Sequence, residues 1–252
     1  LLMDIRTENA HPGPIASPRA MRQPLVAPAS VKKGRPAAQV APSSSAERGV
    51  PLMGRRGRGA RSNDSGRFET IRYADFDDGW DEFEPPAPLK TTVTKETARK
   101  IITRNQSPDI PFDRSINPYR GCEHGCVYCF ARPTHAYMGL SPGLDFEAQL
   151  FAKPNAAALL ERELSKPSYE VRPIAIGTNT DPYQPIEKQY RIMRQVLEVL
   201  AAYNHPVTIV TKSALLTRAL ALLSPMAKRT LVRGALSITP LEAKLARHLD
   251  PL

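Results

Sequence analysis

Three cysteines within one short segment are the residues of this sequence best suited to chemistry. Cys122, Cys126 and Cys129 are the three cysteines of the chain, and their spacing is C-x3-C-x2-C. An odd number of cysteines packed this closely is a poor disulfide framework, so the spacing indicates a reducing compartment and a metal or cluster site. Three thiolates on one loop bind three irons of a cubane cluster and leave the fourth iron open. Gly121 and Gly125 allow such a loop to turn tightly.

Two other interpretations of the same loop remain open. Cys122, Cys126 and Cys129 together with His124 would make a Cys3His zinc site, although zinc ligands usually come as two separated pairs. The thiols could also be structural. Metal identity distinguishes these interpretations. Arg120 and Arg132 flank the loop and are candidates for stabilising negative charge on it.

From about residue 91 onwards, short apolar runs alternate with amphipathic stretches. This β-α-β-α order predicts an α/β fold with a parallel sheet covered by helices. Periodicity leaves open whether the sheet is doubly wound or an arc of a barrel. The predicted strands are 112–119, 173–178, 206–211 and 231–238, and the predicted helices are 127–137, 155–165, 187–203, 214–223 and 240–249.

Polar residues follow the predicted strands. Asn179 and Asp181 come after one strand and Lys212 ends the next. Because chemistry gathers at the carboxyl ends of parallel strands, these side chains are candidates for cofactor or substrate contacts. Asp181 can equally cap a helix that has Pro182 at its first position. Lys212 can equally be a solvated or helix-capping residue.

The amino-acid sequence around the cysteines, SINPYRGCEHGCVYCFARPTHAY, resembles the radical S-adenosylmethionine (radical SAM) superfamily, and in particular the group related to spore photoproduct lyase. The resemblance covers roughly residues 96–252, and GRGARSNDSGRFE at 57–69 is similar to the N-terminal part of that group. It implies a partial (β/α) barrel. Since that barrel has six units and about four are visible here, we expect a chain truncated after about four β-α units, with an exposed edge on the fourth strand.

The resemblance also implies a mechanism. The open iron of a [4Fe–4S] cluster would chelate S-adenosylmethionine, and reductive cleavage would yield a 5′-deoxyadenosyl radical that abstracts hydrogen from an unknown substrate. A flavodoxin- or ferredoxin-like electron donor is expected. Spore photoproduct lyase uses a further cysteine as hydrogen donor, and this chain has no fourth cysteine, so that repair reaction is not carried over. The residues implied are Cys122, Cys126 and Cys129 for the cluster, Tyr128 for the adenine, Asn179 and Asp181 near the amino group, and Lys212 and Ser237 near the carboxylate.

Composition divides the chain at about residue 90. Residues 1–66 hold eight Pro and seven Gly, with 11 basic against 4 acidic residues, and residues 67–90 hold 3 basic against 7 acidic residues. Such stretches bury too little apolar surface to offset their ordering entropy. Composition therefore predicts a disordered tail and acidic linker at 1–90, and the resemblance implies that 91–252 is a radical SAM core.

The net charge and the hydropathy restrict which partners are expected. The net charge of +10 favours anionic partners such as nucleic acid. No apolar run reaches the ~18 residues of a membrane span, so we expect a cytoplasmic protein with no membrane partner. Three functions stay open: a radical SAM enzyme with lyase or DNA-repair-like activity, a zinc or nucleic-acid binding module, and an inactive truncated remnant.

Overall fold

A computed structural model describes the backbone of residues 2–4 and, in full, residues 57–63 and 89–251. The strands are β1 (Leu2–Asp4), β2 (Thr92–Lys95), β3 (Ile102–Arg104), β4 (Arg114–Ile116), β5 (Tyr119–Arg120), β6 (Gln149–Ala152), β7 (Ile174–Ile176), β8 (Val207–Thr211) and β9 (Val232–Ser237). The α-helices are α1 (Leu144–Ala148), α2 (Ala156–Leu164), α3 (Glu187–Tyr190), α4 (Ile192–Ala202), α5 (Leu220–Lys228) and α6 (Ala243–Leu249), with 3-10 helices at Arg132–Met138 and Ala214–Ala219. None of these helices is long and apolar enough to cross a membrane.

The larger sheet has six strands in the order β1-β9-β8-β7-β4-β3. Within it, β4, β7, β8 and β9 are parallel neighbours, whereas β3 pairs antiparallel with β4. The predicted α/β class and its parallel strands are thereby confirmed. The strand order runs from one edge to the other, and the described strands do not close into a barrel. The carboxyl ends of the four parallel strands therefore share one edge of the sheet.

The outer edge of β9 is covered, which corrects the expected exposed edge on the fourth strand. The backbone of β1 pairs antiparallel with β9, with Leu2 opposite Ser237 and Asp4 opposite Ala235. A segment of the chain's own N-terminal part thus satisfies the free N–H and C=O groups of that edge.

The predicted helix at 187–203 is wrong as a single element. It is two helices, α3 and α4, separated by Arg191, whose φ of 50° is left-handed. The carboxylate of Glu187 then accepts the backbone N–H of Met193, at 3.0 and 3.2 Å to its two oxygens, at the start of α4. The apolar face of α4 is formed by Ile192, Met193, Val196, Leu197 and Leu200, all of which are buried.

The predicted helix at 127–137 is also wrong over its first half. Turns occupy the residues after Cys126, and helical structure of the 3-10 type begins only at Arg132. The cysteine loop uses its backbone for tight turns, such as the 3.3 Å bond from the Cys129 N–H to the Cys126 carbonyl, and these turns replace the helical bonds. The predicted helix at 214–223 is a 3-10 turn followed by α5.

The core lies between the six-stranded sheet and helices α2, α4 and α5. Ile174 and Ile176 of β7 are fully buried, as are Leu197 and Leu200 of α4. A strand that is apolar at every position matches a sheet buried on both faces. This rigid block fixes where each parallel strand ends, and so fixes the residues that follow.

A second sheet, in the order β2-β6-β5, leads into the cysteine loop. Its strand β5 ends at Arg120, directly before Gly121 and Cys122. Within the range 1–90, for which composition predicts a tail and linker, residues 57–63 lie against the core next to this sheet, because buried acceptor groups bind their N–H and guanidinium donors. The rest of that range, apart from 2–4, 89 and 90, lies outside the described residues.

Arg114 is a charged residue buried inside the sheet. Its guanidinium pairs with Asp113 at 2.8 and 2.9 Å, donates to the Glu170 carbonyl and lies 5.5 Å from the Tyr169 ring centroid. The hydrogen bond from Arg114 holds the pKa of Asp113 down, at about 2. Since the pKa of an unfolded Asp is about 3.9, the pair stabilises the fold above about pH 4, and this stabilisation is lost as the pH falls towards 2.

We predict that Asp113→Asn lowers the free energy of unfolding at neutral pH by roughly 3 kcal/mol or less, because it leaves the Arg114 charge buried without its partner while Asp113 itself is about a third exposed. The difference from the parent protein should shrink between about pH 5 and pH 3 in urea titrations. Asp109→Asn, at an exposed carboxylate nearby, is the control and should change neither value. A difference that is constant across this pH range would contradict the assignment.

Candidate functional site

The cysteine loop is anchored where it leaves β5. The Cys122 N–H donates to the Phe146 carbonyl at 2.9 Å. Gly121 and Gly125 have φ of 72° and 65°, in the left-handed region that favours glycine. A Cβ on Gly121 would also lie 2.8 Å from the Phe146 carbonyl oxygen, so no larger residue fits there. The backbone of the loop therefore turns tightly at these two positions, as the two glycines predict.

The buried carboxylate of Glu147 holds the other side of the loop. Its side chain is fully buried and forms an ion pair with Arg132. Arg132 in turn donates to the Cys126 carbonyl, at 2.9 Å from Nη2 and 3.3 Å from Nε. The other flanking arginine, Arg120, pairs with Glu96 at 2.8 and 2.9 Å instead. Of the two arginines, Arg132 is thus the one that positions the cysteines.

Residues 57–63 complete this arrangement from a distant part of the chain. The N–H groups of Gly59 and Ala60 donate to the two carboxylate oxygens of Glu147, at 3.1 and 2.8 Å. Arg58 donates to the Glu147 carbonyl and to the Thr91 hydroxyl. These residues belong to the segment 57–69 that the sequence analysis singled out by resemblance. Composition alone gave no sign that they contact the core.

Asp181 joins the loop after β7 to the end of β8. Its carboxylate accepts the Thr211 hydroxyl at 2.6 Å and the backbone N–H groups of Tyr183 and Lys212 at 2.8 and 2.9 Å. Only the bond to Tyr183 is local, so Asp181 is more than the cap of a following helix. It fixes the backbone from which Lys212 projects.

Gln184 links this same loop to the cysteines, and sequence analysis did not single it out. Its amide donates to the Gly121 carbonyl and accepts the Glu123 N–H, both at 3.1 Å. Thr180 adds a 3.1 Å bond to the Tyr119 carbonyl. The density of polar residues between 177 and 187 was the available signal, although it did not distinguish Gln184 from its neighbours.

One cavity of about 170 Å³ lies between the cysteine loop and the strand ends. The eight residues that the resemblance implies for the cluster and S-adenosylmethionine all line it, whereas Arg120 and Arg132 do not. The eight share this cavity although they come from four separate segments: Cys122, Cys126, Tyr128, Cys129, Asn179, Asp181, Lys212 and Ser237. Parallel strands explain this, because β7, β8 and β9 all end at the same edge.

Lys212 is the cation of this cavity. Its Nζ lies 2.9 Å from Cys126 Sγ and 2.9 Å from the Tyr128 hydroxyl, and it forms an ion pair with Asp250. The Tyr128 hydroxyl also bonds the Asp250 carboxylate at 3.1 Å, and the Val127 N–H donates to the Leu249 carbonyl at 3.0 Å. The end of α6 therefore lies against the cysteine loop. Asp250 is a site residue for which the sequence carried no signal.

The environment favours the protonated thiol at Cys122 and Cys126. Burial raises the pKa of Cys126 to about 11 despite the hydrogen bond from Lys212. Burial and the Asp181 charge raise the pKa of Cys122. Burial lowers the pKa of Lys212, but hydrogen bonds to Asp250 and Cys126 outweigh it and the net shift is upward. A coordinating metal deprotonates such a thiol outright, so binding at this loop would release protons.

His124 lines the same cavity. Its Nδ1 lies 3.5 Å from Cys122 Sγ and 3.8 Å from the Asp181 carboxylate, and burial lowers its pKa. Across the part of the chain that the structure describes, no group of three or more His, Cys, Asp and Glu side chains is placed to hold a single metal ion.

The chain is similar to several proteins described as uncharacterized. One from Mycobacterium tuberculosis strain H37Rv and one from Mycobacterium bovis are each 44% identical over 141 residues, which cover 56% of this chain and 42% of the relative. One from Methanocaldococcus jannaschii is 26% identical over 162 residues, which cover 64% of this chain and 57% of the relative. The chain thus spans about half the length of these relatives. No family model and no solved structure matches it.

We predict that Glu147→Gln frees residues 57–63 from the core. A neutral amide cannot compensate the Arg132 charge, and breaking such a buried pair costs about 3–5 kcal/mol. Limited trypsin digestion with mass spectrometry should then show faster cleavage after Arg58 and Arg61. Glu161→Gln, at an exposed carboxylate of α2, should cleave like the parent protein. Equal cleavage in both variants would contradict the role of Glu147.

Proposed function

We propose that this chain forms the cluster-binding part of a radical SAM enzyme. The observation that carries the proposal is that three cysteines and a partly buried lysine line one cavity together with polar side chains from three strand ends. A loop with three thiolates and a pocket for a charged cofactor are the two parts that such chemistry requires. The mycobacterial relatives that are 44% identical are described as uncharacterized, so the similarity to them gives no argument for or against the proposal.

We also propose that the open sheet is part of a (β/α) barrel. Strands β4, β7, β8 and β9 lie side by side in the sheet in the order in which they occur along the chain, each parallel to the next, with β5 and β6 of the second sheet between β4 and β7 in sequence. Helices follow β7, β8 and β9 along the chain. This arrangement fits a barrel arc, with the site at the carboxyl ends of its strands.

The donor set fits a [4Fe–4S] cluster better than a single zinc ion. Each thiolate of a cubane site binds its own iron, so the three sulfurs need not converge on one point. A zinc site needs four converging ligands, and the described residues around Cys122 and His124 are not arranged in that way. Cys122, Cys126 and Cys129 would hold the cluster. With S-adenosylmethionine bound, the cluster would supply one-electron cleavage of the sulfonium to give a 5′-deoxyadenosyl radical.

Different side chains of the cavity suit different parts of S-adenosylmethionine. The Lys212 ammonium suits the carboxylate of S-adenosylmethionine, because a charge-assisted hydrogen bond is about twice as strong as a neutral one. Asp181 already accepts three donors and therefore acts by positioning Lys212. Tyr128 is more than half exposed and presents its ring for stacking on adenine. Asn179 and Ser237 line the cavity as further polar contacts.

The proposal is tested by anaerobic reconstitution followed by iron and sulfide analysis, with electron paramagnetic resonance of the reduced protein. About four irons and four sulfides per chain, with a spectrum that changes when S-adenosylmethionine is added, are the expected result. Reduction by a flavodoxin or ferredoxin should then release methionine. Zinc in place of iron would favour a binding module. A bound cluster without cleavage of S-adenosylmethionine would favour an inactive protein.

We predict that Cys126→Ala loses the cluster, because each thiolate ligates a different iron. Iron content should fall to the background of a protein without a site, measured after the same reconstitution. His124→Ala is the matched control, since it changes the same loop and leaves the three thiolates in place. Full iron content in Cys126→Ala would remove Cys126 from the ligand set. Loss of metal in His124→Ala would instead favour a Cys3His zinc site.

We predict opposite effects of Lys212→Ala and Asp250→Ala on the affinity for S-adenosylmethionine. Removing the ammonium should weaken binding roughly 10-fold to 100-fold, as expected for a charge-assisted bond. Removing Asp250 should strengthen binding, because its carboxylate competes for Lys212. Calorimetry on reconstituted protein measures both, with the exposed Lys166→Ala as control. Weaker binding in Asp250→Ala would mean that Asp250 positions Lys212 and does not compete for it.

A further inference from the structure

A second cleft lies on the outer side of the loop that follows β7. Its volume is about 270 Å³, and it is formed by α3, the start of α4 and the 3-10 helix at Ala214–Ala219. The cations Lys188, Arg191, Arg194 and Arg218 surround it, and the side chains of Tyr183 and Leu215 contribute apolar wall. None of the residues proposed to hold the cluster or S-adenosylmethionine lines this cleft.

The positive charge of the cleft is mostly uncompensated. Arg194 pairs with Glu198 one turn along α4. Among the described residues, no acidic side chain pairs with Lys188, Arg191 or Arg218. Glu187 also faces the cleft, but it is buried and its carboxylate binds the Tyr119 hydroxyl and the Met193 N–H. With Arg194 paired, the three cations Lys188, Arg191 and Arg218 against the one carboxylate of Glu187 leave a net positive opening, which attracts anionic ligands.

Tyr183 gives a second and independent indication of a ligand. Its side chain is 4% exposed and lines the cleft, yet its hydroxyl has no hydrogen-bond partner in the described structure. A buried hydroxyl without a partner costs about 1–3 kcal/mol, so native structures rarely leave one unpaired. A ligand with an acceptor oxygen or nitrogen would satisfy it.

The backbone at Arg191 supports the same conclusion. Its φ of 50° is unfavourable for a residue with a Cβ and breaks what the sequence pattern would otherwise make one helix. The break places Arg191 at the junction of α3 and α4, beside the cleft. Strain of this kind persists where the surrounding structure enforces it, and it concentrates at ligand sites.

We propose that this cleft binds the phosphate of a nucleotide, with Lys188, Arg191 and Arg218 on the phosphate and the sugar or base against Tyr183 and Leu215. An apolar wall beside clustered cations matches a ligand that joins an anionic and a flat apolar part. The nucleotide can be free or part of a single strand, since both present the same chemistry. Tyr183 lines this cleft, Asp181 lines the cysteine cavity, and the Tyr183 N–H bonds the Asp181 carboxylate, so one short turn contributes to both.

The test uses the full chain and two probes. Fluorescence anisotropy measures binding of labelled single-stranded oligo(dT) of about twelve nucleotides, within known single-strand site sizes, and competition with AMP measures binding of a free nucleotide. The variant is Lys188→Gln with Arg218→Gln. The control is Lys166→Gln with Lys228→Gln, which removes the same charge from exposed positions that do not line the cleft. We expect the cleft variant to bind oligo(dT) at least ~10-fold more weakly, and the control to change little.

Each outcome decides the proposal. Competition by AMP would identify a free nucleotide as the ligand, and binding of oligo(dT) without such competition would identify a strand backbone. Equal losses in both double variants would attribute binding to overall charge and overturn the proposal, as would the absence of binding by the parent protein. Tyr183→Phe separates a ligand role from a structural one. We expect weaker binding with an unchanged or higher melting temperature, because none of the described residues forms a hydrogen bond with this hydroxyl.

Discussion

The arrangement of the cysteine loop depends on one buried carboxylate. Glu147 lies near the end of α1 and is fully buried, and a carboxylate in such a place needs hydrogen-bond donors to replace water. It receives them from three places: the Arg132 guanidinium and the N–H groups of Gly59 and Ala60. Because Arg132 also binds the Cys126 carbonyl, the same set of contacts that satisfies the charge fixes the cysteine positions.

Asp181 plays the corresponding part at the strand ends. Its bonds to Thr211 and to the Lys212 N–H connect two neighbouring parallel strands, and Gln184 continues the connection to the Gly121 carbonyl. Asp181 at the cavity and Gln184 beside it thus already have hydrogen-bond partners within the protein. Side chains held in this way keep their positions before a ligand arrives, which reduces the entropy lost on binding.

The sequence predicts this site better than it predicts the elements around it. Cysteine spacing and the common edge of parallel strands are local or topological constraints, and they sufficed to bring Cys122 and Lys212 to one cavity. The break at Arg191 was not predictable, since apolar periodicity continues across it. The contacts made by residues 57–63 and by Asp250 were not predictable either. Each depends on a partner about 40 or more positions away, and periodic patterns carry no information about such distant partners.

The two ligand sites that we propose differ in whether their cations are paired with carboxylates. Carboxylate partners are present for the fully buried Arg114 and for the partly buried Arg132 and Lys212. Cations without an acidic partner can stay charged only where water or a ligand solvates them, and Lys188, Arg191 and Arg218 gather at one exposed cleft. A ligand carboxylate at Lys212 must therefore displace Asp250. A phosphate at the outer cleft displaces only water and gains attraction that nothing in the described protein already uses.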